Sequence, residues 1–286
     1  MDFIDQDQIK MSESERRKIS SFIEERFGIK MPPSKATLLI SRLSKRLITL
    51  GLKTFGDYFK YINSQEGMAN EIYIFIDLIS THETSFFREA KHYDILLSKV
   101  LPKIVTECGA GLKHPLRILS AACSTGEEPY TIAVVVSEFI ASNNYVNFKY
   151  HITGTDISLK VLETARHGVY DAHKIDNVPK KYKTKYFMVN KNKGSNLVRI
   201  VPELRADIDF FPINLMNESY PFEYEYDVIF LKNVLIYFGR EDQEKIILRL
   251  LKYLAPGGFF FVGLSESMAG LGLPIKSVMP SIFRKH

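Results

Sequence analysis

Strand-like and helix-like segments alternate along the C-terminal two-thirds of this 286-residue chain, and that alternation restricts the fold more than any other feature. Leu116-Arg117-Ile118-Leu119-Ser120 reads as a strand, followed by a small-residue turn and a helix from Glu127 to about Ala141. Phe148 to Thr155 reads as a second strand, with a helix from Leu159 to Arg166 after it. The rhythm continues through Tyr226–Leu231, Gln243–Leu254 and Phe259–Leu264, and Pro274 to Arg284 is expected to return as a strand beside Phe259–Leu264. Strands that alternate with helices form a parallel sheet joined by right-handed crossovers. The expected fold is therefore α/β, a doubly wound and mostly parallel sheet.

The first eighty residues lack strand character. Ser12-Glu13-Ser14-Glu15 has the form of a helix cap, and Ile19, Phe22, Ile23 and Phe27 recur at helical spacing before Gly28. Pro32-Pro33-Ser34 opens a second helix carrying Leu38, Leu39, Leu43, Leu47 and Leu50, which ends at Gly51; further helices start near Thr54 and Gly67. This predicts a small all-helical N-terminal domain over 1–80 and an α/β domain over 81–286. On the second helix Lys35, Arg42 and Arg46 share a face, with Lys45 beside it. That face reads either as the solvated side of an amphipathic helix or as a dock for an acidic helix. One stretch breaks the α/β rhythm. Tyr186-Phe187-Met188 and Leu197–Ile200 flank an Asn-Lys-Gly-Ser turn at Asn192–Ser195, which predicts a β-hairpin insert over about 172–206.

Composition narrows the class. With 45% apolar and 25% charged residues the chain reads as an ordinary globular protein, and its net charge of +5 is too small to point to nucleic acid. Two cysteines, Cys108 and Cys123, without a Cys-x-x-Cys or a His cluster, argue against a disulfide framework or a metal site and for a reducing cytoplasm. The acidic start Met1-Asp2-Phe3-Ile4-Asp5 lacks a signal-peptide apolar stretch, and no apolar run approaches the ~18 residues of a membrane span.

The chemistry concentrates at strand ends. Ile118 to Tyr130 delivers a buried strand into Ala121-Ala122-Cys123-Ser124-Thr125-Gly126, small residues that let a ligand approach the backbone. In a doubly wound sheet the turn after such a strand is where a nucleotide-like ligand sits. This turn is not G-x-G-x-x-G, and Glu127 and Glu128 would repel phosphate but attract an ammonium group, which favours S-adenosylmethionine over NAD or ATP. Pro129 suits a first helical turn, and Thr125 and Glu128 have the spacing of a capping box. Asp156, ending the second strand, is placed to accept from both ribose hydroxyls, or else to cap the next helix through Ser158. Asn214 and Leu215 supply an amide and an apolar side chain for an adenine ring, and the exit of the Tyr226–Leu231 strand carries Lys232 and Asn233.

Thr84-Ser85-Phe86-Phe87-Arg88-Glu89, Ser124-Thr125-Gly126-Glu127-Glu128-Pro129-Tyr130, Thr155-Asp156-Ile157 and Asn233-Val234-Leu235-Ile236-Tyr237-Phe238 resemble, in order, the signature segments of the CheR family of chemotaxis receptor methyltransferases. The resemblance covers nearly the whole chain. It implies a Rossmann-like S-adenosylmethionine-dependent methyltransferase that esterifies glutamates on the cytoplasmic helices of membrane chemoreceptors, releasing S-adenosylhomocysteine. It places cofactor contacts on Thr84, Arg88, Ala122, Glu128, Asp156, Asn214, Leu215, Lys232 and Asn233. Members often carry Asn where this chain has His82 and Arg where it has Lys232, and Lys lacks the bidentate guanidinium fork. The insert resembles a β-subdomain that in some members grips a receptor's C-terminal peptide.

The reaction so implied is an in-line displacement from sulfonium to carboxylate. A glutamate with an ordinary pKa of about 4.3 is already ionised at neutral pH and needs no general base. Arg88 is the candidate for positioning that carboxylate or the cofactor's own, and Tyr237 for lining the transfer site. With the family in view, Lys35, Arg42 and Arg46 gain weight as a receptor dock. Two rivals remain at this level: a methyltransferase of RNA or small molecules, and an adaptor that binds the cofactor without transfer.

Overall fold

The computed structural model describes residues 10–190 and 195–285. The acidic start Met1–Asp5 and the 192–194 part of the hairpin turn lie outside the described residues. The chain divides into two compact units, one running to Thr81 and taking in Tyr237–Asp242, the other comprising His82–Ile236 and the chain from Gln243 onward.

The first unit is helical. α1 (Glu13–Phe27) opens on Ser12, whose hydroxyl accepts from the Glu15 N–H while Glu15 accepts from the Ser12 N–H at 2.9 Å, a closed capping box. Gly28 ends it in the left-handed conformation. A 3-10 turn begun by Pro33 leads into α2 (Ala36–Thr49), which buries Leu39, Leu43 and Leu47 but leaves Leu38 41% exposed. α3 (Phe55–Ile62) is capped by Thr54, and α4 (Ile72–Ile79) follows a π-helical turn at Gly67–Glu71. Ile19, Ile23, Phe27, Tyr58 and Phe75 form the core between them.

The two arginines of α2 have internal partners. Arg46 donates twice to Glu71, at 2.8 and 2.6 Å, and the Tyr58 hydroxyl donates to the same carboxylate at 2.9 Å. Glu71 is 2% exposed, so its charge depends on this pairing. Arg42 donates to the carbonyls of Leu78 and Ser80, which the end of α4 leaves open. Lys35 lies 5.4 Å over the ring of Tyr237, whose carbonyl accepts from the Lys30 N–H.

In the second unit, residues 90–108 carry no element in the sequence reading. They form α5 (Ala90–Ile95) and α6 (Leu101–Cys108) around a π-helical turn at Leu96–Val100. Tyr93, Leu96, Val100, Leu101 and Ile104 recur at helical spacing, and Pro102 is harmless because it sits in the first turn of α6. β1 (Leu116–Ala121), α7 (Glu127–Ser142), β2 (Tyr150–Asp156) and α8 (Leu159–His167) follow the expected alternation. An insert comes next, with β3 (Val169–Asp171), α9 (Lys180–Tyr186), β4 (Phe187–Val189), β5 (Leu197–Ile200) and α10 (Pro202–Arg205). β4 and β5 pair antiparallel as the hairpin reading expects, but β3 pairs on the other side of β5 to make a three-stranded sheet. Three residues are too few for a periodicity to show.

β6 (Ile208–Pro212), β7 (Tyr226–Leu231), α11 (Arg240–Lys252), β8 (Leu254–Val262), β9 (Ile275–Met279) and β10 (Ile282–Lys285) complete the chain. The main sheet runs β6-β2-β1-β7-β8-β10-β9, with β6, β2, β1, β7 and β8 all parallel. One expectation changes here. The C-terminal segment is a hairpin rather than one strand, turning at Ser281 so that β10 lies antiparallel to β8 and β9 becomes the edge. The Ala255-Pro256-Gly257-Gly258 segment belongs to β8 itself, as an irregularity in its register with β7. β1 and β7 are buried on both faces apart from Arg117, which explains the apolar stretches Ile118-Leu119 and Val228–Leu231. No helix among the described residues is long and apolar enough to cross a membrane.

Candidate active site

The strand order reverses direction at β1. The chain moves outward through β2 and β6 on one side and through β7 and β8 on the other, so a crevice opens beyond the carboxyl ends of β1 and β7. The motif residues at strand exits all belong to that edge.

After β1 the chain takes three left-handed residues in five, Ala122 at φ 59°, Ser124 at 51° and Gly126 at 92°. Only the last needs glycine. A Cβ on Gly126 would lie 2.8 Å from that of Ala165, so α8 and the turn could not pack. The Cys123 N–H donates to Thr155 O at 2.8 Å and the Ser124 N–H to Asp156 Oδ2 at 2.9 Å, fixing the turn against the end of β2. Burial pushes the Cys123 thiol well above its ordinary range, leaving it neutral and unreactive.

Asp156 is 7% exposed and uses one lone pair on each oxygen, for the N–H groups of Ser124 and Ser158. Burial raises its carboxyl above the usual range against those donors. The Ile157 N–H is a third donor and His82 also favours the charged form; the acceptor capacity left on the two oxygens suits ribose hydroxyls. The helix that follows is capped by Ser158 Oγ, which accepts from the Val161 N–H, so Asp156 need not cap it. Ile213 donates its N–H to Asp156 O, which brings Asn214 and the buried Leu215 to the same strand end.

Glu128 is not a capping residue. α7 starts at Gly126 without a side-chain cap, and Thr125 donates to Glu127 Oε2 at 2.6 Å instead. Glu128 turns inward, accepting from Ser120 Oγ at 2.8 Å and meeting the Lys232 ammonium at 3.2 Å. Lys232 has a side chain only 1% exposed and also lies 3.4 Å from Glu89 Oε2 and over the ring of Tyr93. It donates to Arg88 O at 3.3 Å, while the Arg88 guanidinium reaches Glu83 O. Lys232 is thus a cation held between two carboxylates, with Glu128 the group it leaves facing the turn after β1.

Two residues that the sequence reading did not single out organise the exits of β7 and β8. Glu89, itself left-handed at φ 59°, accepts from Asn233 Nδ2 at 3.3 Å and from the Leu264 N–H at 3.0 Å. Burial works to raise its carboxyl, but His92, the Leu264 N–H, Lys232 and Asn233 together hold it down at about 2. Glu266 accepts from the N–H groups of Asn233, Val234, Leu235 and Gly263 at 2.7–2.9 Å. It is 8% exposed, and burial raises its carboxyl despite the four donors. Glu89 was legible as part of the Phe86-Phe87-Arg88-Glu89 segment; nothing local distinguishes Glu266.

The insert braces the same region. Tyr170 of β3 donates to Thr125 O at 2.7 Å, and its ring meets Phe86 edge-on. Lys174 lies 3.4 Å from Glu127, which is fully buried, and within the same distance of Thr84 O. The site brings together Thr84, Arg88, Ala122, Glu128, Asp156, Asn214, Leu215, Lys232 and Asn233. Tyr237 belongs to the helical unit with Lys35, Arg42 and Arg46.

Residues 82–279 match the family model described as CheR methyltransferase, SAM binding domain, and residues 14–80 match CheR methyltransferase, all-alpha domain. The chain belongs to the CheR methyltransferase family. It is 36% identical over 278 residues to the chemotaxis protein methyltransferase of Borreliella burgdorferi, covering 97% of this chain and 96% of that one. Chemotaxis protein methyltransferase 2 of Pseudomonas aeruginosa is 35% identical over 90% of this chain and 87% of its own length, and the Escherichia coli chemotaxis protein methyltransferase 33% over 93% and 88%. The cofactor of this CheR chain is S-adenosylmethionine. The residues at the strand exits fit that group: Asp156 has acceptor capacity for ribose, Glu128 a carboxylate for an ammonium, and Leu215 beside Asn214 an apolar and amide surface for a purine.

Proposed function

We propose that this CheR methyltransferase esterifies glutamate side chains on the cytoplasmic helices of chemoreceptors, with the cofactor held at the carboxyl edge of the main sheet. The observation that carries the reading is the gathering of Glu128, Asp156, Asn214 and Lys232–Asn233 at one switch point, in a chain whose relatives are named chemotaxis protein methyltransferases. S-adenosylmethionine, when bound, supplies a methyl group on a sulfonium; the receptor carboxylate displaces a neutral thioether and becomes an ester.

The protein's share is placement and exclusion of water. Asp156 takes the ribose hydroxyls, the Ala122–Gly126 turn lets the backbone approach, Asn214 and Leu215 take the adenine, and Glu128 takes the amino group. Thr84 and Arg88 lie on the segment tied to Lys232, and Arg88 is proposed to position a carboxylate. The helical unit is proposed to dock the acidic receptor helix through Lys35, Arg42 and Arg46, each partly exposed despite its internal partner. The β insert is proposed to hold a receptor peptide, with Met188 and Val189 exposed on its β4 edge. The two free thiols suit a cytoplasmic setting.

Incubation with methyl-labelled cofactor and a receptor cytoplasmic fragment tests the reading. Label that alkali releases from the fragment as methanol is expected, along with severe loss in Arg88→Ala. Label appearing only on RNA, or cofactor binding without transfer, would reject it.

A further inference from the structure

The chain as a whole is basic, at +5, yet its candidate cofactor site is acidic. Glu89, Glu128, Asp156 and Glu266 lie at or beside strand exits, Glu89 and Glu128 against the ammonium of Lys232, and the Glu127–Lys174 pair cancels itself. Carboxylates stay in excess even when the Arg88 guanidinium at the rim is counted. Within this group Glu89 stands apart. It is half-buried beside Lys232 and Asn233, fastens three chain segments by accepting from Asn233 Nδ2 and Leu264 N, and shares Lys232 with Glu128. Lys232 supplies one ammonium to the two carboxylates, and the ring of His92 lies 3.4 Å from Glu89 Oε2.

We infer that Glu89 is a positioning residue whose surplus charge makes the pocket discriminate between the cofactor before and after methyl transfer. The inference rests on the site assignment made under the proposed function. S-adenosylmethionine carries a sulfonium that S-adenosylhomocysteine lacks, so the two ligands differ by one positive charge and one methyl group. Hydrogen bonds to ribose, adenine and amino acid are common to both. A fixed negative charge near the sulfonium therefore acts on the donor and hardly on the product, favouring capture of the first and release of the second. The carboxyl of Glu89, held at about 2, stays ionised throughout the neutral range. Screened by an effective dielectric of ~20–40, one unit charge in the pocket shifts a nearby cation's binding by roughly tenfold.

The test is calorimetric titration of S-adenosylmethionine and S-adenosylhomocysteine into the full chain and into E89Q and E89D. Gln keeps an acceptor for Leu264 N–H and removes the charge, whereas Asp keeps the charge and shortens the reach. E89Q is expected to weaken S-adenosylmethionine about tenfold more than S-adenosylhomocysteine, and E89D to leave the ratio of the two affinities near that of the wild type. Equal losses for both ligands in E89Q would make Glu89 merely structural and overturn the inference, as would an E89D ratio shifted as far as that of E89Q. If E89Q does not fold, E89D against E89N repeats the comparison at one length with and without charge. Wild-type protein that binds neither ligand would sink the site assignment and the inference with it; wild-type binding with an unmoved ratio in E89Q sinks the inference alone.

Discussion

The helical unit and the α/β unit both bury charge, but they balance it differently. In the helical unit Arg46, Glu71 and the Tyr58 hydroxyl form a closed set, one cation to one anion, with hydrogen bonds of 2.6–2.9 Å. At the strand exits of the α/β unit the ion pairs of Lys232 are longer, 3.2 and 3.4 Å, and carboxylates outnumber cations. A buried ion pair that is complete holds a fold together and offers nothing outside. A buried cluster left with surplus charge and unused lone pairs carries an electrostatic cost that a ligand of opposite charge relieves. Charge balance separates scaffold from site here more clearly than burial does, since both sets are buried.

Arg46→Ala breaks the contrast most sharply. It strands Glu71 without its cation and is expected to cost about 3–5 kcal/mol in urea unfolding, while S-adenosylhomocysteine affinity of the folded protein is unchanged. Asp156→Ala should do the reverse, lowering affinity for S-adenosylhomocysteine by about a hundredfold or more through two lost charge-assisted hydrogen bonds, as calorimetry would register. An Arg46 variant that loses ligand while fully folded would erase the distinction.

Acid offers a third probe with a definite sign. The carboxyl of Glu89 falls from 4.5 to about 2 on folding, so its stabilisation is present above pH 4.5 and is lost as pH drops towards 2. Asp156 and Glu266 are raised by burial, so they favour the fold at low pH and lose that contribution as pH rises through their folded values. The difference in unfolding free energy between wild type and E89Q should therefore shrink on acidification across that window, by about 1–2 kcal/mol once solvent screening is counted. A constant difference would show that Glu89 is not charged in the folded protein. The smallest effect is expected from Tyr170→Phe, which removes one hydrogen bond to the turn at Thr125 O. About 1 kcal/mol, seen as less than a tenfold loss of S-adenosylhomocysteine affinity, would mark the insert as a brace rather than a wall of the site.

Much of this was legible in the sequence because its cause is local. The capping box at Ser12–Glu15 and the β2-to-α8 step at Asp156–Ser158 depend on residues a few positions apart. The same local logic fails at Thr125–Glu128, whose spacing is that of a capping box. There Ser120 and Lys232 compete for Glu128, and Gly126 starts the helix without a side chain. α5 and α6 went unassigned although their periodicity is helical, and the C-terminal hairpin read as one strand because a turn at Pro280–Ser281 carries a weak signal.

The sequence by itself determined the strand–helix alternation from β1 to α8, the turn after β1 and the family, since periodicity, small residues and motif order are properties of neighbours along the chain. Tertiary structure alone decided which charges meet. Glu89 lies 144 positions from Asn233 and 175 from Leu264, and Arg46 lies 25 from Glu71. Contacts at such separations follow from strand register and helix packing, and no local propensity encodes them. Whether a buried carboxylate serves the scaffold or the cofactor therefore becomes visible only once the sheet has brought its partners together.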